Sequence, residues 1–234
     1  MAPTLSFFLL SLLLATLALS APSPPNLVYP LAAQLPPTAR TNQTWSWTLL
    51  PGTFNASSGS TLSLSSRNLP TWAQFDANTW TFSGLPNVAD VGSQLVTVQA
   101  NASGVAEGIS SVFELLVVDA PLPYVRLPIA KQLPMAASFS DGADLTPNGA
   151  LEIPPTWSFS LGFQQYTIEN VNRDRIYYDA RLAGTTSLPS WLNFDNRTVT
   201  FDGVAARDTG EYEISIYASE RFGHGDVLQT LKLR

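Results

Sequence analysis

The sequence predicts an all-β chain of two tandem β-sandwich domains behind a secretory leader. Three observations predict it. One 16-residue motif occurs twice, 119 residues apart. Short alternating stretches of β-branched and aromatic residues, separated by Gly, Asn, Asp and Pro, fill both copies. An apolar N-terminal run ends in a small-residue cleavage pattern.

Taken in order, Met1 to Ser20 read as a signal peptide. The run from Leu5 to Leu19 is apolar, Ala18 and Ser20 stand at the minus-three and minus-one positions, and Ala21-Pro22-Ser23-Pro24-Pro25 follow. The alternative is an uncleaved anchor, for which the run is slightly short. The most apolar later run, Ile109 to Val118, is far below the ~20 residues of a span. Membrane association is therefore expected only through a segment beyond Arg234, and the abrupt stop there suggests a fragment of a longer chain.

The first domain is expected over residues 21–118 and the second over 119–234. Leu69-Pro70-Thr71-Trp72-Ala73-Gln74-Phe75-Asp76 repeats as Leu188-Pro189-Ser190-Trp191-Leu192-Asn193-Phe194-Asp195. The match continues from Thr79-Trp80-Thr81-Phe82-Ser83-Gly84 to Thr198-Val199-Thr200-Phe201-Asp202-Gly203, and then from Asp90-Val91-Gly92 to Asp208-Thr209-Gly210. Upstream, Pro30 to Pro36 match Pro128 to Pro134, and Thr44-Trp45-Ser46 match Thr156-Trp157-Ser158. The changing offset places insertions of 14 and 7 residues in the second copy, read as longer loops on an unchanged framework. Leu95 to Ala100, Val112 to Val118, Tyr212 to Ala218 and Leu228 to Leu233 read as strands. Asp119-Ala120-Pro121-Leu122-Pro123 read as a stiff linker.

Within the motif, Trp72 and Trp191 are expected as core anchors between the sheets. Phe75, Phe82, Phe194 and Phe201 should alternate into the same core. Gly84 and Gly203 should end strands in turns that need a permissive backbone. Trp80, replaced by Val199 in the second copy, is the better candidate for an exposed aromatic.

Composition narrows the function. The chain has no cysteine, so hydrophobic cores alone must hold the domains. Net charge is −6 with 12 Lys plus Arg and no basic run, which argues against a nucleic-acid partner. Sequons at Asn42, Asn55, Asn101 and Asn196 suggest glycosylated surface turns. The one histidine, His224, sits in a turn-like Gly-rich context without a nucleophile elbow, so Ser-His-Asp and zinc chemistry have no support.

The repeated Leu-Pro-x-Trp-x-x-Phe-Asp, Thr-x-Thr-Phe-x-Gly and Asp-x-Gly elements resemble the dystroglycan-type cadherin-like domain and related immunoglobulin-like surface domains. The two-domain plan resembles the ectodomain of the fungal Axl2-like polarity and bud-site surface proteins. The resemblance implies tandem immunoglobulin/cadherin-like β-sandwiches of a non-enzymatic cell-surface glycoprotein in adhesion or polarity, with an extracellular protein or glycan as partner. It also implies calcium (Ca2+) near the domain junction. The candidate ligands are Asp119, Asp141, Asp144, Asp90 and Glu107, since calcium takes six to eight oxygens. The sequence departs from the cadherin pattern: Asp119 is followed by Ala-Pro, and Ala100-Asn101-Ala102 and Ala218-Ser219-Glu220 stand where a cadherin carries Asp-x-Asp. Two rival readings stay open, a carbohydrate-binding module pair and a non-catalytic accessory region of a secreted hydrolase. Exposure of Trp45, Trp47, Trp80, Phe159 and Tyr166 would favour sugar.

Overall fold

The computed structural model describes residues 23–170, 175–208, 210–220 and 225–234. The leader, Thr209 and His224 lie outside them.

The first module packs two sheets. One has four strands in the order Ala39–Arg40, Ile109–Val118, Gly92–Ala102, Leu62–Arg67. The other has three, Trp45–Thr48, Thr81–Gly84, Ala73–Asp76. The second module repeats the plan with a five-stranded sheet, Asp144–Leu145, Leu151–Glu152, Gly225–Leu233, Tyr212–Ser219, Tyr177–Leu182, against Ser158–Gly162, Thr200–Val204, Leu192–Asp195. A short antiparallel ribbon opens each module: Asn26–Leu27 with Phe54–Asn55, and Tyr124–Val125 with Ile168–Glu169. The strands expected from alternation are present, and one face of each enters the core. Val96, Val98 and Ala100 are buried in the first module, as are Ile214, Ile216 and Ala218 in the second.

Each core is aromatic at its centre. Phe82 stacks on Trp47 and meets Phe113 edge to face, and Phe201 meets Phe163 and Phe194. Phe75 and Phe194 are half-buried against these clusters. The two tryptophans expected between the sheets are instead half-buried at the core's margin. Trp72 packs edge-on to Trp45, and Trp191 edge-on to Phe159 and Tyr212. A strand-end position next to Pro-x-Trp leaves the indole one open side.

The motif glycines have a different reason from the expected turn. Neither adopts a left-handed φ. A Cβ on Gly84 would lie 2.4 Å from the Trp72 carbonyl oxygen, and one on Gly203 2.2 Å from that of Trp191. They are glycine because a neighbouring backbone passes against them. The left-handed backbone lies instead at Trp80 and its counterpart Val199, with φ of 55° and 53°. The turns that hold them are fixed by aspartates. Asp76 accepts from the Asn78 amide at 2.9 Å and Asp195 from the Arg197 amide at 2.8 Å. These amides, with the neighbouring threonines, hold both carboxyls below the ordinary range.

Register corrects the Thr-Trp-Ser alignment. Trp45 pairs with Gly84, but the residue pairing with Gly203 is Phe159. Trp45 and Trp47 therefore correspond to Phe159 and Leu161, and Trp157 lies outside the core, 48 % exposed. The two-residue slip keeps the inward parity, so the core accepts it. It lengthens the first insertion to 16 residues and shortens the second to 5. The first is not a plain loop. The 3-10 turn Leu31–Gln34 of the first module becomes the helix Ile129–Ser138, followed by the added edge strand Asp144–Leu145. The second insertion is the turn after Leu182.

Candidate functional site

The five candidate calcium ligands are dispersed. Asp90 closes a capping box, accepting from the Asn87 amide at 2.8 Å. Glu107 and Asp141 are exposed loop residues, and Asp144 lies exposed on the added edge strand. Asp119 accepts from the Thr41 hydroxyl. Among the described residues no three acidic or histidine side chains converge where they could hold a metal.

The junction is built around a different cation. Arg40 ends its short strand beside Val118 and is only 5 % exposed. Its Nη1 donates to the carbonyls of Ala120 at 2.9 Å and Pro121 at 3.1 Å, and lies 3.7 Å from Glu220 Oε1. Glu220 belongs to the second module, follows its strand Tyr212–Ser219, and is 6 % exposed. A buried charge persists only when paired and hydrogen-bonded, and both conditions are met. A second contact crosses the junction, from Arg181 Nη1 to the Ala33 carbonyl. Arg181 is held by Asp179 at 2.7 Å and lies over the Tyr217 ring. The oxygens that calcium would require here, two linker carbonyls and a carboxylate, face a guanidinium instead. The junction residues do not fit calcium.

A polar clasp supports each module and went unread in the sequence, although its glutamine stands inside the repeated Pro-Leu-Ala-Ala-Gln and Pro-Ile-Ala-Lys-Gln strings. Gln34 donates to the Tyr29 carbonyl and Thr53 Oγ1 and accepts from the Leu50 amide. Gln132 donates to the Leu127 carbonyl and Thr167 Oγ1 and accepts from the Gln164 amide. Each buried amide ties its own segment to one distant turn, Leu50–Thr53 or Gln164–Thr167, with its polar atoms satisfied.

Of the sequons, Asn42, Asn55 and Asn196 are exposed. Asn101 is half-buried within the strand Gly92–Ala102 and accepts from Gln99 Nε2 at 3.4 Å. Among the aromatics that separate sugar binding from scaffold, Trp45, Trp47 and Phe159 are buried, Trp80 packs partly buried against its core, and Tyr166 is 47 % exposed. They form no exposed row. No described helix is long and apolar enough to cross a membrane.

Comparison with known proteins agrees with this architecture. The family model described as "Putative Ig domain" matches residues 24–118 and again 148–233. Axial budding pattern protein 2 of Saccharomyces cerevisiae is 25 % identical over 189 residues, which is 77 % of this chain but 22 % of that protein. The chain thus spans about a fifth of the length of the curated relative it matches. Among solved structures, the tandem Ig repeats of Dlar align over 92 % of this chain and 99 % of that one at 10 % identity, TM-score 0.37. The endo-fucoidan hydrolase MfFcnA4 of glycoside hydrolase family 107 aligns over 90 % of this chain and 28 % of that one at 16 % identity, TM-score 0.35. With the family model covering both sandwiches, the chain belongs to the Putative Ig domain family and carries two copies of its module.

Proposed function

We propose that this chain is an extracellular recognition segment of a cell-surface glycoprotein in adhesion or polarity, which presents its two modules as one oriented unit. The motif supports the finer assignment to the dystroglycan-type cadherin-like group, and the match to Axial budding pattern protein 2 supports the polarity setting. The observation that carries the reading is the Arg40–Glu220 pair. Burying two charges between modules gains little net stability over apolar packing but punishes every arrangement that separates them. A pair of modules held in this way suits a binding surface that must keep its geometry while tethered.

Arg40 takes over at the junction the place that the cadherin resemblance gave to calcium. The exposed sequons at Asn42, Asn55 and Asn196 carry glycans in this reading, and half-buried Asn101 does not. Mass spectrometry of the secreted chain before and after glycan release checks the count, and occupancy of Asn101 alone would contradict it. Function is tested on beads coated with the mature chain, scored for self-aggregation and for attachment to cells of the source organism. The reading requires attachment or aggregation that is weakened in Glu220→Ala at equal surface density. Beads that bind nothing, or bind equally well with Glu220→Ala, would contradict it.

A further inference from the structure

The second module holds a groove of about 670 Å³ at the end that carries its opening ribbon. Among the described residues, three arginines, Arg126, Arg175 and Arg197, line it with one carboxylate, Glu169. In a chain of net charge −6 with 12 Lys plus Arg, this is a local reversal of sign. Tyr166 is half-exposed in the same wall, with the Arg126 guanidinium 5.1 Å from its ring centroid. Arg126 is tied to Glu169, and that pairing raises its pKa further above the ordinary arginine value. One ion pair therefore anchors the wall. Arg175 lies over the Tyr177 ring, Arg197 acts on Asp195 outside the lining, and among the described lining residues Glu169 is the one carboxylate.

The first module shows that the scaffold does not require these charges. The two ribbons superpose bond for bond. Val28 and Arg126 each donate their amide to a threonine carbonyl, Thr53 and Thr167, at 2.9 Å. Leu49 and Phe163 each donate to the carbonyl of the positive-φ residue, Trp80 and Val199, at 3.0 Å. By the same registers Arg126 corresponds to Val28, Arg175 to Thr61 and Arg197 to Asn78. None of the three is charged. Where the first module places the large Trp80 against its core, the second has the smaller Val199, which lines the groove. A framework fixed in both copies therefore carries three cations around this groove in one copy only.

We infer that this groove binds an anionic saccharide, one bearing carboxylate, sulfate or phosphate groups. Guanidinium forks match the planar oxygen pairs of such groups, and the lining adds the side chain of Gln165 and the Tyr166 ring for a hydroxyl-rich body. An acidic peptide would call for apolar pockets at alternate positions, which this mostly polar wall does not offer. The exposed sequon residue Asn196 lines the same groove, so a glycan there would stand at its mouth. The inference deepens the recognition reading and rests on it. The two fail separately, because the junction is read by attachment or aggregation of Glu220→Ala and the groove by titration of Arg175→Gln/Arg197→Gln with a defined saccharide.

The test uses the secreted chain with its N-glycans trimmed. Binding is measured by titration with a heparin-derived sulfated oligosaccharide, a neutral mannose oligosaccharide and a polyglutamate peptide. The sulfated probe should bind, weaken as salt rises, and lose about tenfold or more in affinity in Arg175→Gln/Arg197→Gln. Arg67→Gln, an exposed arginine of the first module, should leave it unchanged. An unchanged melting curve for the double variant separates lost binding from lost folding. Binding of the neutral probe equal to that of the sulfated one, tighter binding of polyglutamate, retention of affinity in the folded double variant, or no binding of the sulfated probe would each overturn the inference.

Discussion

The two modules share a skeleton down to single hydrogen bonds, yet they distribute charge and volume differently. Glycine against a tryptophan carbonyl, aspartate capping a turn, a positive-φ residue in that turn and a glutamine clasping a distant turn occur in both. The first module fills its ribbon end with Trp80, and the second leaves Val199 and three arginines there. What is repeated is what the fold needs, and what differs is where a specific task has been added. The junction belongs to the second kind. Arg40 has Pro154 at the matching position of the second module, and Arg181 has the exposed Arg67 at that of the first.

The comparison can be broken first at the glycines. Gly84→Ala and Gly203→Ala should each cost about 3 kcal/mol or more, because the obstructing atoms are backbone and cannot swing aside. Chemical denaturation with Trp fluorescence reads this module by module. Equal loss from both confirms one framework, and a loss under about 1 kcal/mol in either would break the equivalence. Next comes Glu220→Ala. Leaving Arg40 buried without its carboxylate should cost about 3 kcal/mol, whereas Arg40→Met with Glu220→Leu should recover most of it. Differential calorimetry of the single and double variants distinguishes these.

Gln34→Ala and Gln132→Ala should each cost about 1–2 kcal/mol, since the part-buried bond to the main-chain amide of Leu50 or Gln164 loses its acceptor. A difference between the two beyond about 1 kcal/mol would show that the longer helix of the second module has taken over part of the clasp. The smallest effect is expected from the turn aspartates. Both carboxyls are held low by amide donors, so they add stability that is present above the ordinary carboxylate range and lost as pH falls through their lowered values. Asp76→Ala and Asp195→Ala should therefore flatten the acid limb of the stability curve and leave its neutral plateau only slightly lower. An unchanged acid limb would remove the aspartates from the account.

The sandwich pair was legible because repetition and alternation are local properties of the string. Thr-x-Thr-Phe marks a strand and Leu-Pro-x-Trp the turn that leads into one, without reference to anything distant. The reasons behind single residues were less legible. Gly84 and Gly203 suggested turns because the backbone that blocks a Cβ is not adjacent in sequence. Thr44-Trp45-Ser46 and Thr156-Trp157-Ser158 match as letters, but pairing with Gly84 and Gly203 sets the register two residues away. Arg40 and Glu220 stand 180 positions apart, and neither lies in a motif. Calcium was suggested by acids counted along the chain, whereas a site needs them converging in space, which the described residues do not provide. The groove draws its cations from three separated segments, and one of its lining residues, Val199, stands where the first module has Trp80, a difference noted in the sequence without its consequence.

The central claim is that Arg40 and Glu220 hold the two modules in one orientation without a metal. Pulsed electron-spin distance measurement between a label on each module, in calcium and in EDTA, tests it most directly. The account predicts one narrow distance distribution, the same in both buffers and broadened in Glu220→Ala. A distribution that is already broad in the wild-type chain, or that narrows only when calcium is added, would contradict it.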